Sequence, residues 1–264
     1  MTASRPLAVV TGATAGIGHV FAQRLAAAGH DLLLVARDHA RLEAVCAALA
    51  AAHGVAAEPF VADLSQDRDI SRLADRLRTE SRLACLVSNA GFGTRGTLLT
   101  ADPETQRQML RLHVMCTHEL VSAALPGMTE RRTGTVIVVA SVASWSPTAG
   151  NVNYNATKAY QRVYCEAAAT ELEGSGVYIQ ALCPGFTYTE FHDRLGSGRT
   201  GPPRWAWLSA DRVVDESLAQ ARARGAVVCV PSKRFKCIVF LLKHAMWVLG
   251  GLRQRYRRDR LRVQ

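Results

Sequence analysis

The chain has 264 residues, 48% of them apolar, and a near-zero mean hydropathy, which suits one folded α/β domain with a sizeable core and excludes a disordered chain. The formal charge is +10, but from Pro231 onward ten Lys or Arg face one acid, Asp259, so the residues before it carry only about +1. The basic excess therefore describes a tail, not a nucleic-acid-binding surface, and no zinc-finger or basic helix-turn-helix pattern accompanies it.

Residues 7–11, Leu-Ala-Val-Val-Thr, form an apolar run suited to a buried parallel strand. Gly12-Ala13-Thr14-Ala15-Gly16-Ile17-Gly18 follows, then an apolar-periodic stretch through Ala28 closed by Gly29. That order reads strand, glycine turn, helix. Glycines permit a tight turn and close backbone approach, and the helix N-terminus offers free N–H groups and partial positive charge to a pyrophosphate. An ordinary βα turn also uses glycine, but three glycines at this junction favour a dinucleotide site. A second strand over 31–36 ends in Ala36-Arg37-Asp38. An acid at this tip serves the ribose 2′-hydroxyl of NAD, whereas an Arg accommodates a 2′-phosphate. Arg37 therefore points to NADP(H). Asp38 keeps NAD(H) open, and the plainer alternative makes Asp38 a helix cap beside a solvated Arg37.

Further strand-like runs lie at 55–61, 83–88, 134–140, 177–183 and 226–230, with helix-like stretches near 17–28, 38–52, 68–80, 103–125, 155–173 and 211–224. Strands alternating with helices predict an α/β fold, a doubly wound parallel sheet of the Rossmann type. The expected organisation is a single domain over 1–232, including an irregular loop at 186–210, with an apolar and basic C-terminal extension at 233–264. Ligands of such sheets bind at the carboxyl ends of the strands.

Two groups near the fifth strand carry chemistry. Tyr154 and Lys158, four residues apart, share one helix face, and Ser141 lies shortly before them. A free phenol has a pKa of about 10, so it is a poor proton donor or acceptor near neutrality. A nearby ammonium favours the phenolate, and a cationic nicotinamide would add to that. A serine hydroxyl aimed at the same spot could hold a substrate oxygen while the phenol exchanges a proton with it. Alone, Tyr-x-x-x-Lys is a common helical spacing.

Thr11-Gly12-x-x-x-Gly16-Ile17-Gly18, Asn89-Ala90-Gly91, Ser141, Tyr154-x-x-x-Lys158 and Pro184-Gly185 together resemble, in order and spacing, the classical short-chain dehydrogenase/reductase (SDR) family. The resemblance covers roughly residues 5–230. It implies that Gly12, Gly16 and Ile17 contact a dinucleotide diphosphate, with Thr14, Ala15 and Gly18 in the same turn. Asp63, beside Leu64, would meet the adenine ring. Asn89, Ala90 and Gly91 would underlie the cofactor, and Pro184, Gly185, Thr187 and Thr189 would flank the nicotinamide amide. Tyr154 becomes the proton donor or acceptor. Lys158 binds the nicotinamide ribose and lowers the Tyr154 pKa, and Ser141 orients the substrate oxygen. His113 stands where the family usually has an Asn that helps hold a relay water. An imidazole can also hold water, so His113 is a candidate catalytic residue, or else a buried histidine satisfied by backbone.

The implied activity is hydride transfer between NADP(H) and a carbonyl or secondary alcohol. The substrate expectation is an apolar or lipid-like ketone, with a 3-oxoacyl thioester reductase and a non-catalytic nucleotide-binding scaffold as alternatives. Trp205 and Trp207 are expected to form a lid over the substrate or to pack plainly. The apolar run 237–252 followed by basic residues to Arg262 is too short for a comfortable membrane span, but suits an anionic membrane surface, or a helix covering the substrate pocket or a subunit interface and ending in a solvated basic tail. A homo-oligomer, dimer or tetramer, built on the helices near 103–125 and 155–173 is expected by resemblance. Seven scattered cysteines, odd in number and without Cys-x-x-Cys, predict neither a metal site nor a disulfide framework. They suggest a reducing cytoplasm, and the early first strand leaves no room for a signal peptide.

Overall fold

The computed structural model describes residues 4–94, 96–190 and 204–244. Seven parallel strands, β1 (Leu7–Thr11), β2 (Asp31–Ala36), β3 (Ala57–Val61), β4 (Leu83–Ser88), β5 (Gly134–Val139), β6 (Val177–Leu182) and β7 (Val228–Cys229), form one sheet in the order β3-β2-β1-β4-β5-β6-β7. Helices α1 (Gly16–Ala27), α2 (His39–His53), α3 (Asp67–Arg78), α4 (Pro103–Leu110), α5 (Cys116–Glu130), α6 (Val152–Glu171) and α7 (Ala210–Arg222) connect them. The strand order reverses between β1 and β4, the switch point at whose carboxyl ends the ligand crevice of such sheets lies.

The inner strands are continuous apolar runs because helices cover both their faces: every residue of β1 and of β6 is buried. β3 is the edge strand and mostly exposed, which is where Pro59 can be tolerated, since it has no N–H for a further ladder. Asp38, Asp102 and Ser209 each cap the helix they precede, accepting from the backbone N–H of Arg41, Thr105 and Arg212.

The stretch expected as one helix over 103–125 is longer and broken in its periodicity. α4 runs into a π-helical turn, Arg111–Met115, and α5 then continues to Glu130 with Pro126 inside it. Ser122 and Pro126 are both exposed, so water can serve the carbonyl that proline leaves without a donor. The expected strand over 226–230 shrinks to two residues. The C-terminal extension begins with a helical segment at 233–244 that buries Phe235 and Val239 in the core. Its remainder, and most of the irregular loop with Gly196, Gly198, Gly201, Pro202 and Pro203, lie outside the described residues.

Candidate active site

The glycine turn is shaped by contacts that no side chain could share. Gly12 and Gly16 hold positive φ values of 67° and 54°. A Cβ on Gly18 would stand 2.3 Å from the Gly12 carbonyl oxygen and 2.4 Å from Asn89 Nδ2. One on Gly16 would meet the Thr189 side chain at 2.9 Å. α1 opens after Ala15 with no side-chain cap, so its first-turn N–H groups have no acceptor from a capping side chain. A turn kept free of Cβ atoms, ahead of an uncapped helix start, fits a dinucleotide diphosphate.

Asn89, Ala90 and Gly91 fasten β4 to this turn. The Asn89 and Ala90 N–H groups both donate to Thr11 Oγ1 at 2.9 Å, and Asn89 Nδ2 donates to the Thr11 and Gly12 carbonyls. Thr11 thus matters as a two-amide acceptor, a role its place in the motif does not announce. At the β2 tip, Arg37 is exposed, while the Asp38 carboxylate accepts the Arg41 N–H. Arg41 itself pairs with Glu190. Asp63, half-buried beside buried Leu64, accepts from the Ser65 N–H and hydroxyl.

Ser141 follows β5 and opens a short 3-10 turn, Val142–Trp145, where its Oγ accepts the Ala143 N–H at 3.1 Å. Its proton remains available, and its hydroxyl is near enough to the Tyr154 phenol to lower that group's pKa. Tyr154 and Lys158 lie on one face of α6, with Lys158 Nζ 5.9 Å from the Tyr154 ring centroid. The Lys158 ammonium donates to the Val139 carbonyl and Gln161 Oε1, both at 2.8 Å. The expected lowering of the phenol pKa is not what the protein alone produces. Burial pushes Tyr154 up to about 12, partly opposed by Ser141, and pushes Lys158 down to about 7. Lys158 spends two of its donors elsewhere, and the depression has to come from charge added at the site.

His113 is a buried histidine, satisfied by one backbone N–H and one side-chain hydroxyl. It is fully buried in the π turn, and its Nε2 accepts the Phe92 N–H at 3.2 Å. Thr157 donates its hydroxyl proton to the Tyr154 carbonyl, so His113 Nδ1 must be the N–H that meets Thr157 Oγ1 at 2.9 Å. Both ring nitrogens are engaged and the ring is neutral; burial holds its pKa well below the ordinary value. No ring nitrogen is left for a relay water.

Pro184 and Gly185 lie next to Ser141, with the Val142 N–H donating to the Pro184 carbonyl. The Phe235 ring occupies the space a Cβ on Gly185 would need, so the 233–244 segment packs directly against this turn. Thr187 is buried and bridges to Leu208, and Thr189 reaches the glycine turn. Trp207 is buried, stacked on Tyr188 at 5.1 Å and tilted against Phe186 at 5.7 Å, whereas Trp205 is 59% exposed. The two tryptophans therefore divide between packing and surface. The structure brings the glycine turn, Asn89, Ser141, Tyr154, Lys158 and the 184–189 segment to one crevice.

The short chain dehydrogenase family profile matches residues 6–200. The chain belongs to the short-chain dehydrogenase family. Among solved structures, this short-chain dehydrogenase is similar to one from Sphingobium yanoikuyae in complex with NADPH, at 34% identity, 96% coverage of each chain and a TM-score of 0.82. It is also similar to the bulky-bulky ketone specific alcohol dehydrogenase from Comamonas testosteroni, at 27% identity, 93% and 94% coverage and a TM-score of 0.80. Curated relatives include the human "Inactive hydroxysteroid dehydrogenase-like protein 1", 29% identical over 186 residues, which are 69% of this chain and 56% of that one. The Anas platyrhynchos "Very-long-chain 3-oxoacyl-CoA reductase" is 30% identical over 190 residues, 69% of this chain and 60% of that one. The short-chain dehydrogenase described here thus spans little more than half the length of these curated relatives.

Proposed function

We propose that the chain is an NADP(H)-dependent reductase of apolar ketones, working through Ser141, Tyr154 and Lys158. The observation that carries this is the convergence of three side chains at the crevice shared with the glycine turn: the Ser141 hydroxyl, which lowers the pKa of the Tyr154 phenol, and Lys158, whose Nζ stands 5.9 Å from the phenol ring centroid. When bound, the nicotinamide supplies the hydride. Ser141 holds the carbonyl oxygen by donating its proton in a hydrogen bond. Tyr154 transfers its phenolic proton to that oxygen as charge develops there: the phenolic O–H breaks and the alcohol O–H forms. The remaining Lys158 donor is free for a ribose hydroxyl and favours the phenolate so formed.

Preference for NADP(H) over NAD(H) is supported by the exposed Arg37 and by Asp38, whose carboxylate serves the α2 N-terminus instead of a ribose. An apolar substrate is supported by the partly exposed Phe186 and Tyr188 just beyond Gly185. The names of the duck relative and of the Comamonas structure favour 3-oxoacyl thioesters and bulky ketones respectively. A second reading, a nucleotide-binding scaffold without turnover, draws on the human relative's name; the complete Ser141, Tyr154 and Lys158 set weighs against it. Titrating with NADPH and NADH by nicotinamide fluorescence, then assaying bulky ketones and acetoacetyl thioesters, separates these readings. Turnover lost in Tyr154→Phe supports the reductase; tight binding with no turnover favours the scaffold; no nucleotide binding overturns both.

We also propose peripheral contact with an anionic membrane. No helix among the described residues is long and apolar enough to cross one. The outer side of the 233–244 segment carries Lys233, Arg234 and Lys236 with exposed Phe240 and Leu241. Salt-sensitive sedimentation with phosphatidylserine vesicles, lost on deleting residues 234–264, is the expected result. Self-association through α4, the π turn and α6 is supported by exposed Leu110, Met115 and Val163 there, and light scattering reads it directly.

A further inference from the structure

A buried polar cluster stands behind Tyr154 and Lys158. Gln161 Oε1 accepts from Lys158 Nζ, while Gln161 Nε2 donates to the His113 carbonyl at 3.0 Å and to Thr117 Oγ1 at 2.9 Å. Thr117 donates its own proton to the same His113 carbonyl at 2.8 Å, so its oxygen can only accept from Gln161. The orientation of the carboxamide is thereby fixed. Turned over, it would set N–H groups against the ammonium and an oxygen against two acceptors. Gln161, Thr117 and His113 are all essentially inaccessible, so losing any one bond leaves a buried polar group unpaired.

A lysine side chain is a flexible four-carbon stem with a compact charge, and it has no preferred end point of its own. Here the end point is set by two fixed acceptors: the Val139 carbonyl, which is backbone of the sheet, and Gln161, which is tied to the π turn. We propose that Gln161 is the positioning residue of Lys158: its carboxamide, anchored on His113 and Thr117, sets where the ammonium stands relative to Tyr154 and which donor it keeps for the crevice. The amide holds position without passing a proton, since Oε1 only accepts and Nε2 only donates. Proton exchange with solvent then runs through the crevice and not back through the π turn. The titratable groups around Lys158 are Tyr154 on its own helix, His113 on the π turn and Cys183 after β6, all uncharged near neutrality because they are buried. The positioning itself is independent of the proposed reaction; only its effect on turnover rests on that reading.

The chain has four lysines, and the other three, Lys233, Lys236 and Lys243, are exposed. Nitrogen-15 lysine NMR of the full chain therefore isolates Lys158 without cofactor. The expected parent spectrum has one slowly exchanging Nζ signal that titrates apart from the other three. Gln161→Leu loses that protection, and Gln161→Glu, which keeps the acceptor and adds charge, raises the Lys158 midpoint by about one unit or more. In turnover, Gln161→Leu lowers kcat roughly tenfold with KM for the ketone little changed, and the limb of the kcat–pH profile moves with the NMR midpoint. Gln161→Glu recovers part of kcat. Unchanged protection and midpoint in Gln161→Leu overturn the proposal. Should that variant not fold, the midpoint in Gln161→Glu decides: a rise supports the proposal and no movement overturns it. A responsive Lys158 signal in a protein with no turnover keeps the positioning role and removes the reductase reading.

Discussion

The glycine turn after β1 and the polar cluster behind Lys158 border the same crevice, yet they are made of different material. The turn is backbone. Its shape follows from Gly12 and Gly16 at positive φ, from Gly18 pressed against the Gly12 carbonyl, and from the Thr11 hydroxyl that takes two amides of the β4 end. The cluster is side chain: Lys158, Gln161, Thr117, His113 and Thr157 joined by hydrogen bonds in the interior. A backbone site tolerates no added atom, whereas a side-chain site tolerates the atom and loses its electrostatics. The difference suggests which kinds of substitution should unfold the protein and which should only silence it.

The sharpest test of the side-chain wall is Tyr154→Phe, which removes one oxygen. Turnover is expected to fall by about 10²- to 10⁴-fold, the range supplied by a positioned proton donor, while NADPH titration gives near-parental affinity. On the backbone wall, Gly18→Ala is expected to act through folding. Its new methyl would press first on the Gly12 carbonyl and Asn89 Nδ2, so a loss of at least about 1–3 kcal/mol should appear in denaturant melts, and nucleotide affinity should fall with it.

The buried lysine also leaves a pH signature. Its pKa in the folded chain lies near 7, below the ordinary lysine value of 10.5, so between these values the unfolded chain binds more protons. Stability should therefore rise as pH increases from about 7, until above pH 10 the Tyr154 phenol, held neutral to about 12, subtracts from it. Melting Lys158→Met across pH 6–9 should give a flatter curve than the parent; parallel curves would contradict burial of the amine. The smallest expected effect lies at the rim: Arg37→Ala should raise KM for NADPH about tenfold and leave NADH nearly unchanged, as for one lost charge-assisted contact.

The same contrast explains what the sequence made readable. Gly12, Gly16, Gly18 and Asn89-Ala90-Gly91 announce themselves because backbone geometry demands particular residues at fixed spacing. Strand and helix alternation followed from apolar runs, and the sheet bears it out. The π turn was invisible because the apolar periodicity of 103–125 continues across it in either winding. Gln161 was equally hidden: a glutamine on a helix is ordinarily a solvated residue, and only the approach of α6 to the π turn and α5 gives its amide nitrogen partners. His113 could be read two ways until the Phe92 N–H and the Thr157 hydroxyl were located. At the β2 tip the structure shows the plainer of the sequence's readings, Asp38 capping α2 beside an exposed Arg37.

Trp145 ends the turn that Ser141 begins, and its indole lies between two cations, the Arg162 guanidinium at 4.9 Å and the Lys243 ammonium at 5.2 Å. One cation belongs to α6 and the other to the C-terminal helical segment. The indole is therefore a built-in optical gauge. Any event that lifts that segment, whether a vesicle surface or a bulky ligand, withdraws one charge from the ring and alters its emission, and the difference spectrum against Trp145→Phe would record the docking of the tail from a position a few residues from the chemistry.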